Sequence, residues 1–210
     1  MLGLVKKDFL IMKSSIKGMA IIFILYIAMA FNGMFELPLI LPLLGMILLV
    51  STISYDEQSN FYAYACTLPN GRRNIVKSKY LFSLLIIAVC GMLSVLVTSI
   101  VGYAKGNLDI ISNVSSLVGS ICGIVLVVSF IYPLMFKFGA EKGRIYLFVL
   151  VFGGVVLVSA LSRLIEISNL KDIFNSMSEV YFYIILFFIV SLILFISYRV
   201  SKSIMLRKEF

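Results

Sequence analysis

The 210-residue chain is 61% hydrophobic and 13% charged, with a mean hydropathy of +1.10 and a formal net charge of +8. Soluble domains average about 45–50% apolar and about 25% charged residues, so too few charges remain here to cover a water-facing surface, and a soluble globular enzyme is excluded. The absence of histidine removes every His-based triad, zinc site and proton relay, and Cys66, Cys90 and Cys122 lie too far apart for a disulfide framework or a CxxC metal site.

The N-terminal tail, residues 1–17, places Leu2, Val5, Phe9, Met12 and Ile16 at spacings of three and four, flanked by Lys6, Lys13 and Lys17. That pattern predicts an amphipathic helix lying on the inner leaflet, its lysines reaching acidic lipid headgroups. The plainer alternative is a basic flank that stops transfer. A cleavable leader ending near Ala28-Met29-Ala30 is disfavoured, because the apolar run continues through Phe31.

Six long uncharged runs follow, at about 18–35, 37–55, 80–103, 114–136, 145–162 and 180–198. At roughly 1.5 Å per residue each covers about 27 Å or more, enough for a hydrocarbon core of about 30 Å. The predicted fold is therefore an all-α polytopic membrane protein, a single transmembrane domain over 1–210. The first two runs meet at a turn-like cluster, Asn32-Gly33 to Glu36-Leu37-Pro38, and read as a hairpin of two spans.

Charge assigns the sides. Lys6, Lys7, Lys13, Lys17, Arg72, Arg73, Lys77, Lys79, Lys137, Lys142, Arg144, Arg199, Lys202, Arg207 and Lys208 fall on one side of six crossings; only Lys105, Arg163 and Lys171 fall on the other. By the positive-inside rule both termini are cytoplasmic. The +8 is thus a partition across a membrane, and nucleic acid is not an expected partner.

The 56–79 loop is the longest on the cytoplasmic side. Asp56 and Glu57 suit a helix N-terminus; Phe61, Tyr62, Tyr64 and Leu68 follow, then the turn signal Pro69-Asn70-Gly71 with Arg72 and Arg73. The expected structure is a short helix over 56–68, a basic turn, and a second helix running from Asn70 or Gly71 straight into the third span. Four large apolar or aromatic groups within eight residues either bury against the inner leaflet or meet a protein partner.

In the fourth span Ser115, Gly119 and Gly123 form a small-residue face of the kind that lets helices approach closely, and packing within the chain is the favoured reading. Residues 163–179 place Leu164, Ile167, Leu170, Phe174 and Met177 at near-helical spacing and read as an amphipathic external segment. No Asp, Glu, Lys or Arg lies well inside any of the six runs, so proton-coupled transport and intramembrane hydrolysis lack their usual groups. No GxxxxGK[ST] phosphate loop occurs in the sequence either.

The acid pair, the aromatic stretch, Leu68-Pro69, Arg72, Val76 and Lys79-Tyr80 entering a span, with the opening Leu4-Val5-Lys6-Lys7-Asp8-Phe9, resemble the small six-span permeases of the ABC-2 superfamily of ABC transporters. The resemblance implies an amphipathic connecting helix (1–17), a coupling helix (56–68) and a second contact loop (137–144). It implies that Asp56, Glu57, Phe61, Tyr62, Tyr64, Leu68, Arg72, Arg73 and Glu141 face separate ABC ATPase subunits, which would bind the ATP and magnesium; no cofactor is expected on the chain itself. It further implies a second permease subunit, identical or different, membrane lipid as surroundings, and hydrophobic or amphipathic cargo such as peptides or drugs. The external 163–179 segment would correspond to short helices that dip back into the membrane. A self-sufficient channel or facilitator, or a membrane assembly subunit without a transport path, are the alternatives. Usage rich in Ile, Lys, Asn and Phe suggests a bacterial plasma membrane.

Overall fold

In the computed structural model the described residues are 2–31, 37–68, 70–105, 110–143 and 179–208, together with 145–146, 148–149, 152–153 and 159. Every element among them is helical: α1 (Leu2–Phe31), α2 (Leu37–Gln58), α3 (Phe61–Cys66), α4 (Gly71–Lys105), α5 (Ile110–Phe138) and α6 (Glu179–Arg207). Most of the expected fifth span, and the 163–178 part of the external segment, lie outside the described residues.

Among the described residues three stretches are long and apolar enough to cross a bilayer, Gly71–Tyr103, Val114–Phe138 and Tyr183–Arg207. They contain the expected third and fourth spans and, from Tyr183 onward, the sixth. Each extends past its predicted cytoplasmic-side boundary because the helix does not stop where the charges begin. α4 starts at Gly71, so the basic turn and the third span form one rod, as the sequence predicts.

α4 is the hub and packs against α1, α2, α3, α5 and α6. The core that joins them is apolar, built on Leu49, Ile53, Ile75, Val76, Phe82, Ile131, Tyr132 and Met205, each at most 2% exposed. Hydroxyls inside it are spent locally: Thr52 Oγ1 donates to the Leu49 carbonyl and Ser78 Oγ to the Ile75 carbonyl. Returning to the preceding turn in this way satisfies a buried polar group without a second element.

Two differences from the sequence reading concern the segments on the basic side. First, α1 is hydrogen-bonded without interruption from Leu2 to Phe31, so no break separates the amphipathic tail from the first apolar run. Its inward face is also shifted from the predicted stripe. Asp8 and Met12 are buried and Val5 packs on the core, whereas Phe9 is 51% exposed. Second, Asp56 and Glu57 close α2 instead of opening a coupling helix. Asn60 N–H donates back to the Glu57 carbonyl, and Asn60 then turns to φ 51°, so the next helix begins only at Phe61. Asparagine tolerates that left-handed conformation better than other non-glycine residues.

Candidate functional site

Helical periodicity places three charges where the core should be. Along α1 the inward positions are Val5, Asp8 and Met12; along α2 they are Leu49, Thr52, Ile53 and Asp56; along α4 they are Ile75, Lys79, Phe82 and Ile86. Asp8, Asp56 and Lys79 are each 1–2% exposed. An isolated ion in such a position costs several kcal/mol in lost hydration, and only close opposite charge offsets it.

The three helices supply that charge to one another. Lys79 Nζ donates to Asp8 Oδ1 at 2.8 Å, lies 2.7 Å from Asp56 Oδ2, and is 3.5 Å from the Thr52 carbonyl. Lys7 Nζ donates to Asp56 Oδ1 and lies 3.4 Å from Asp8 Oδ1. Two lysines and two aspartates therefore alternate in a compact neutral quartet that ties α1, α2 and α4 together. Lys7 closes its outer side at 26% exposure, and its ammonium sits 3.5 Å above the centre of the Phe61 ring. That cation–π contact carries the quartet into α3, the helix that follows the acid pair.

A second link joins the two basic loops. The Glu57 carboxylate accepts the Ala140 N–H at the start of a helical segment over residues 140–143. A carboxylate at a helix start satisfies an otherwise orphaned donor. Gly139 makes the approach possible. It adopts φ +88°, and a Cβ there would stand 2.4 Å from Glu57 Oε1. Between the end of α2 and this segment lies a cleft of about 290 Å³ lined by Ser54, Glu57, Gln58, Phe138, Glu141 and Lys142.

The remaining anchors fix the turn after α3. A Cβ on Gly71 would lie 1.8 Å from the Ala65 carbonyl oxygen, so only glycine fits where α4 begins. Arg72 Nη1 donates to the Leu206 carbonyl at 2.7 Å, and Lys208 Nζ to the Phe136 carbonyl at 2.9 Å. Both cations thus sit at carbonyls near helix C-termini, the end a cation prefers. Tyr62 is buried with its ring edge-on to Phe136 at 6.4 Å. Burial first, and then the Asp56 and Asp8 carboxylates, push its hydroxyl well above the usual tyrosine range.

The residues that the sequence grouped as one partner-facing set accordingly separate. Asp56 and Tyr62 are buried, Glu57 is spent on the 140–143 segment, Phe61 lies under Lys7, and Arg72 is held by α6. Tyr64, at 65% exposure, Leu68, at 45%, and the exposed Arg73 and Glu141 remain at the surface. On the small-residue face, a Cβ on Gly119 or Gly123 meets no described atom within 4 Å, and Ser115 is half-buried. Sequence reasoning quoted Lys79 only as part of the Lys79-Tyr80 entry to a span, and paired neither Lys79 with Asp8 nor Lys7 with Asp56. The available signal was a charge at a core position in each of three helices, Asp8, Asp56 and Lys79, with Lys7 beside Asp8 bringing the sum to zero.

In comparison with known proteins, the family model described as ABC-2 family transporter protein matches residues 3–205. No curated protein matches, and no solved structure does.

Proposed function

The chain belongs to the ABC-2 transporter family, and on that premise we propose that it is the membrane permease of an ATP-driven exporter whose ATPase is a separate subunit. The observation that carries the reading is the surface of α3. Tyr64 is exposed on the six-residue α3 and Leu68 just beyond its end, while neighbours brace the helix elsewhere: Lys7 over Phe61, Phe136 against Tyr62, and Gly71 under Ala65. An apolar knob on a braced helix suits a lever pressed by another protein.

In the proposed cycle the ATPase pushes on Tyr64 and Leu68, with Arg73 and Glu141 at the rim of the contact. Because α4 is one helix from Gly71 to Lys105, displacement of α3 is passed to the far side of the membrane without an intervening hinge. The quartet makes α1 and α2 move with it. Two permease subunits, identical or different, would enclose the path. The spans carry no interior acid or base, which suits hydrophobic or amphipathic cargo such as peptides or drugs. The basic side, with both termini, would face the cytoplasm of a bacterium.

Tyr64→Asp with Leu68→Asp, expressed in the native host, tests this. The variant should reach the membrane at wild-type level while a nucleotide-binding protein that accompanies the wild-type chain through affinity purification is lost. Retention of that protein at wild-type stoichiometry would sink the α3 assignment. Transport by the wild-type chain alone in liposomes would sink the separate-ATPase reading.

A further inference from the structure

A groove of about 380 Å³ opens between α4, α5 and α6, walled by Leu84, Ala88, Cys122, Val125, Phe187 and Leu194. That volume falls within the range of about 300–1,000 Å³ typical of ligand sites. All three helices are ones long and apolar enough to cross a bilayer. The groove is open on one side, with Leu84 46% and Phe187 70% exposed, so it faces hydrocarbon.

Both groove-lining faces end in a lysine on the basic side. On α4 the face runs Ala88, Leu84, Leu81, Lys77 at spacings of four, three and four; on α6 it runs Phe187, Ser191, Leu194, Tyr198, Lys202 at four, three, four and four. These spacings keep one face of a helix of 3.6 residues per turn. The register between the two helices is fixed at Tyr80, whose hydroxyl lies 2.6 Å from Ser197 Oγ and 2.9 Å from Ser201 Oγ, and whose ring meets Tyr198 edge-on at 5.5 Å. Lys77 lies one turn below Tyr80 and Lys202 one residue beyond Ser201, so the two lysines stand at similar depth. Leu84 and Leu194 are then about 10–12 Å further into the membrane.

Neither lysine has an acidic partner among the described residues. The described ion pairs are those of the quartet, which is neutral by itself. Lys77 is exposed and Lys202 half-buried. We infer that this is a binding site for one anionic phospholipid, with an acyl chain in the α4–α5–α6 groove and the headgroup phosphate between Lys77 and Lys202. Charge complementarity selects the occupant: hydrocarbon fits the walls, and a negative headgroup answers two ammonium groups that no described acid pairs. The inference rests on the reading that α4 and α6 cross the bilayer, and it needs no ATPase.

The test uses the full chain purified alone, exchanged into vesicles of phosphatidylglycerol and phosphatidylcholine, re-extracted in mild detergent and weighed by native mass spectrometry. Wild type should retain phosphatidylglycerol in preference to phosphatidylcholine. Lys77→Gln with Lys202→Gln should reduce that retention by about fivefold per lysine, roughly 30-fold for both, while Lys77→Arg with Lys202→Arg keeps it. Ala88→Phe, which fills the groove and leaves both lysines in place, should also release the lipid. Equal retention of the two lipids by wild type, wild-type retention in the double Gln variant, or a lipid-free dimer in which a second copy covers the groove would each overturn the site. Because binding is read without nucleotide or partner, these failures are separate from failure of the permease reading.

Discussion

Lys79 Nζ reaches Asp8 Oδ1 at 2.8 Å across 71 positions of sequence, and both side chains are almost completely buried. This pair fixes the N-terminal helix to the root of α4, and through Asp56 to the end of α2. Its energetics resemble those of a buried ion pair in a soluble protein. The pair need not add much net stability, yet losing one member is expensive because the other stays behind uncompensated.

Lys79→Met should therefore destabilise the chain by about 3–5 kcal/mol, whereas Lys6→Met on the exposed side of α1 should change stability by less than about 0.5 kcal/mol. Denaturation in mixed micelles measures both. A double-mutant cycle with Asp8→Asn should give a coupling of roughly 1–3 kcal/mol. Additive effects would mean that the quartet is not an energetic unit.

Gly139 and Gly71 should not accept a side chain. Gly139→Ala places a Cβ against the Glu57 carboxylate in a left-handed backbone, at a cost of about 1–2 kcal/mol for the conformation alone. Gly71→Ala meets the Ala65 carbonyl and adds steric strain of about 1–3 kcal/mol. Gly3→Ala, with open space around it, should be neutral or stabilising by up to about 1 kcal/mol. Thermal midpoints of the three variants, compared side by side, check the ranking.

Glu57→Ala should loosen the 140–143 segment specifically. The lost cap is worth about 0.5–2 kcal/mol, and amide exchange at residues 139–143 should accelerate while exchange along α4 stays unchanged. Glu57→Gln keeps an acceptor and should fall between the two. Uniform acceleration throughout the chain would show that Glu57 supports the whole fold and not one loop.

Tyr62 supplies a pH signature. Its hydroxyl pKa is raised in the folded chain above the ordinary value of 10.0, so the unfolded state loses the proton first. The associated stability is complete below about pH 10 and is lost as pH rises from there toward the folded value. Tyr62→Phe should flatten the alkaline fall in stability relative to wild type and leave neutral-pH behaviour nearly unchanged. Parallel curves above pH 10 would contradict the burial of Tyr62 between Phe136 and the quartet.

The helical character and the positions of α4, α5 and α6 were legible because an uncharged run of membrane length admits little else. The continuous passage from Gly71 into the third span was also readable, since Pro69-Asn70-Gly71 ends one helix and frees the next. The quartet was harder. Lys7 and Lys79 were counted as topology signals, which conceals a second role: a positive residue at the boundary satisfies the sidedness rule whether it points to water or into the protein. Asp56 and Glu57 misled for a related reason. A macrodipole argument places acids at a helix start, and Glu57 does sit at one, but that helix begins at 140, eighty-three residues away. Local rules name the kind of partner a side chain seeks; only packing decides which segment provides it.

Translation order gives the quartet one more consequence. Asp8 emerges 71 residues before Lys79, a delay of about 4–14 s at ordinary synthesis rates of roughly 5–20 residues per second. Only in the last 23 residues of that interval, once Asp56 has been made, do Lys7, Asp8 and Asp56 carry one surplus negative charge with no buried cation to receive it. A chain interrupted between Asp56 and Lys79 keeps that surplus and lacks the cation that joins Asp8 to Asp56. The arrival of a single lysine therefore neutralises the cluster and lets the first, second and fourth helices share one set of charges.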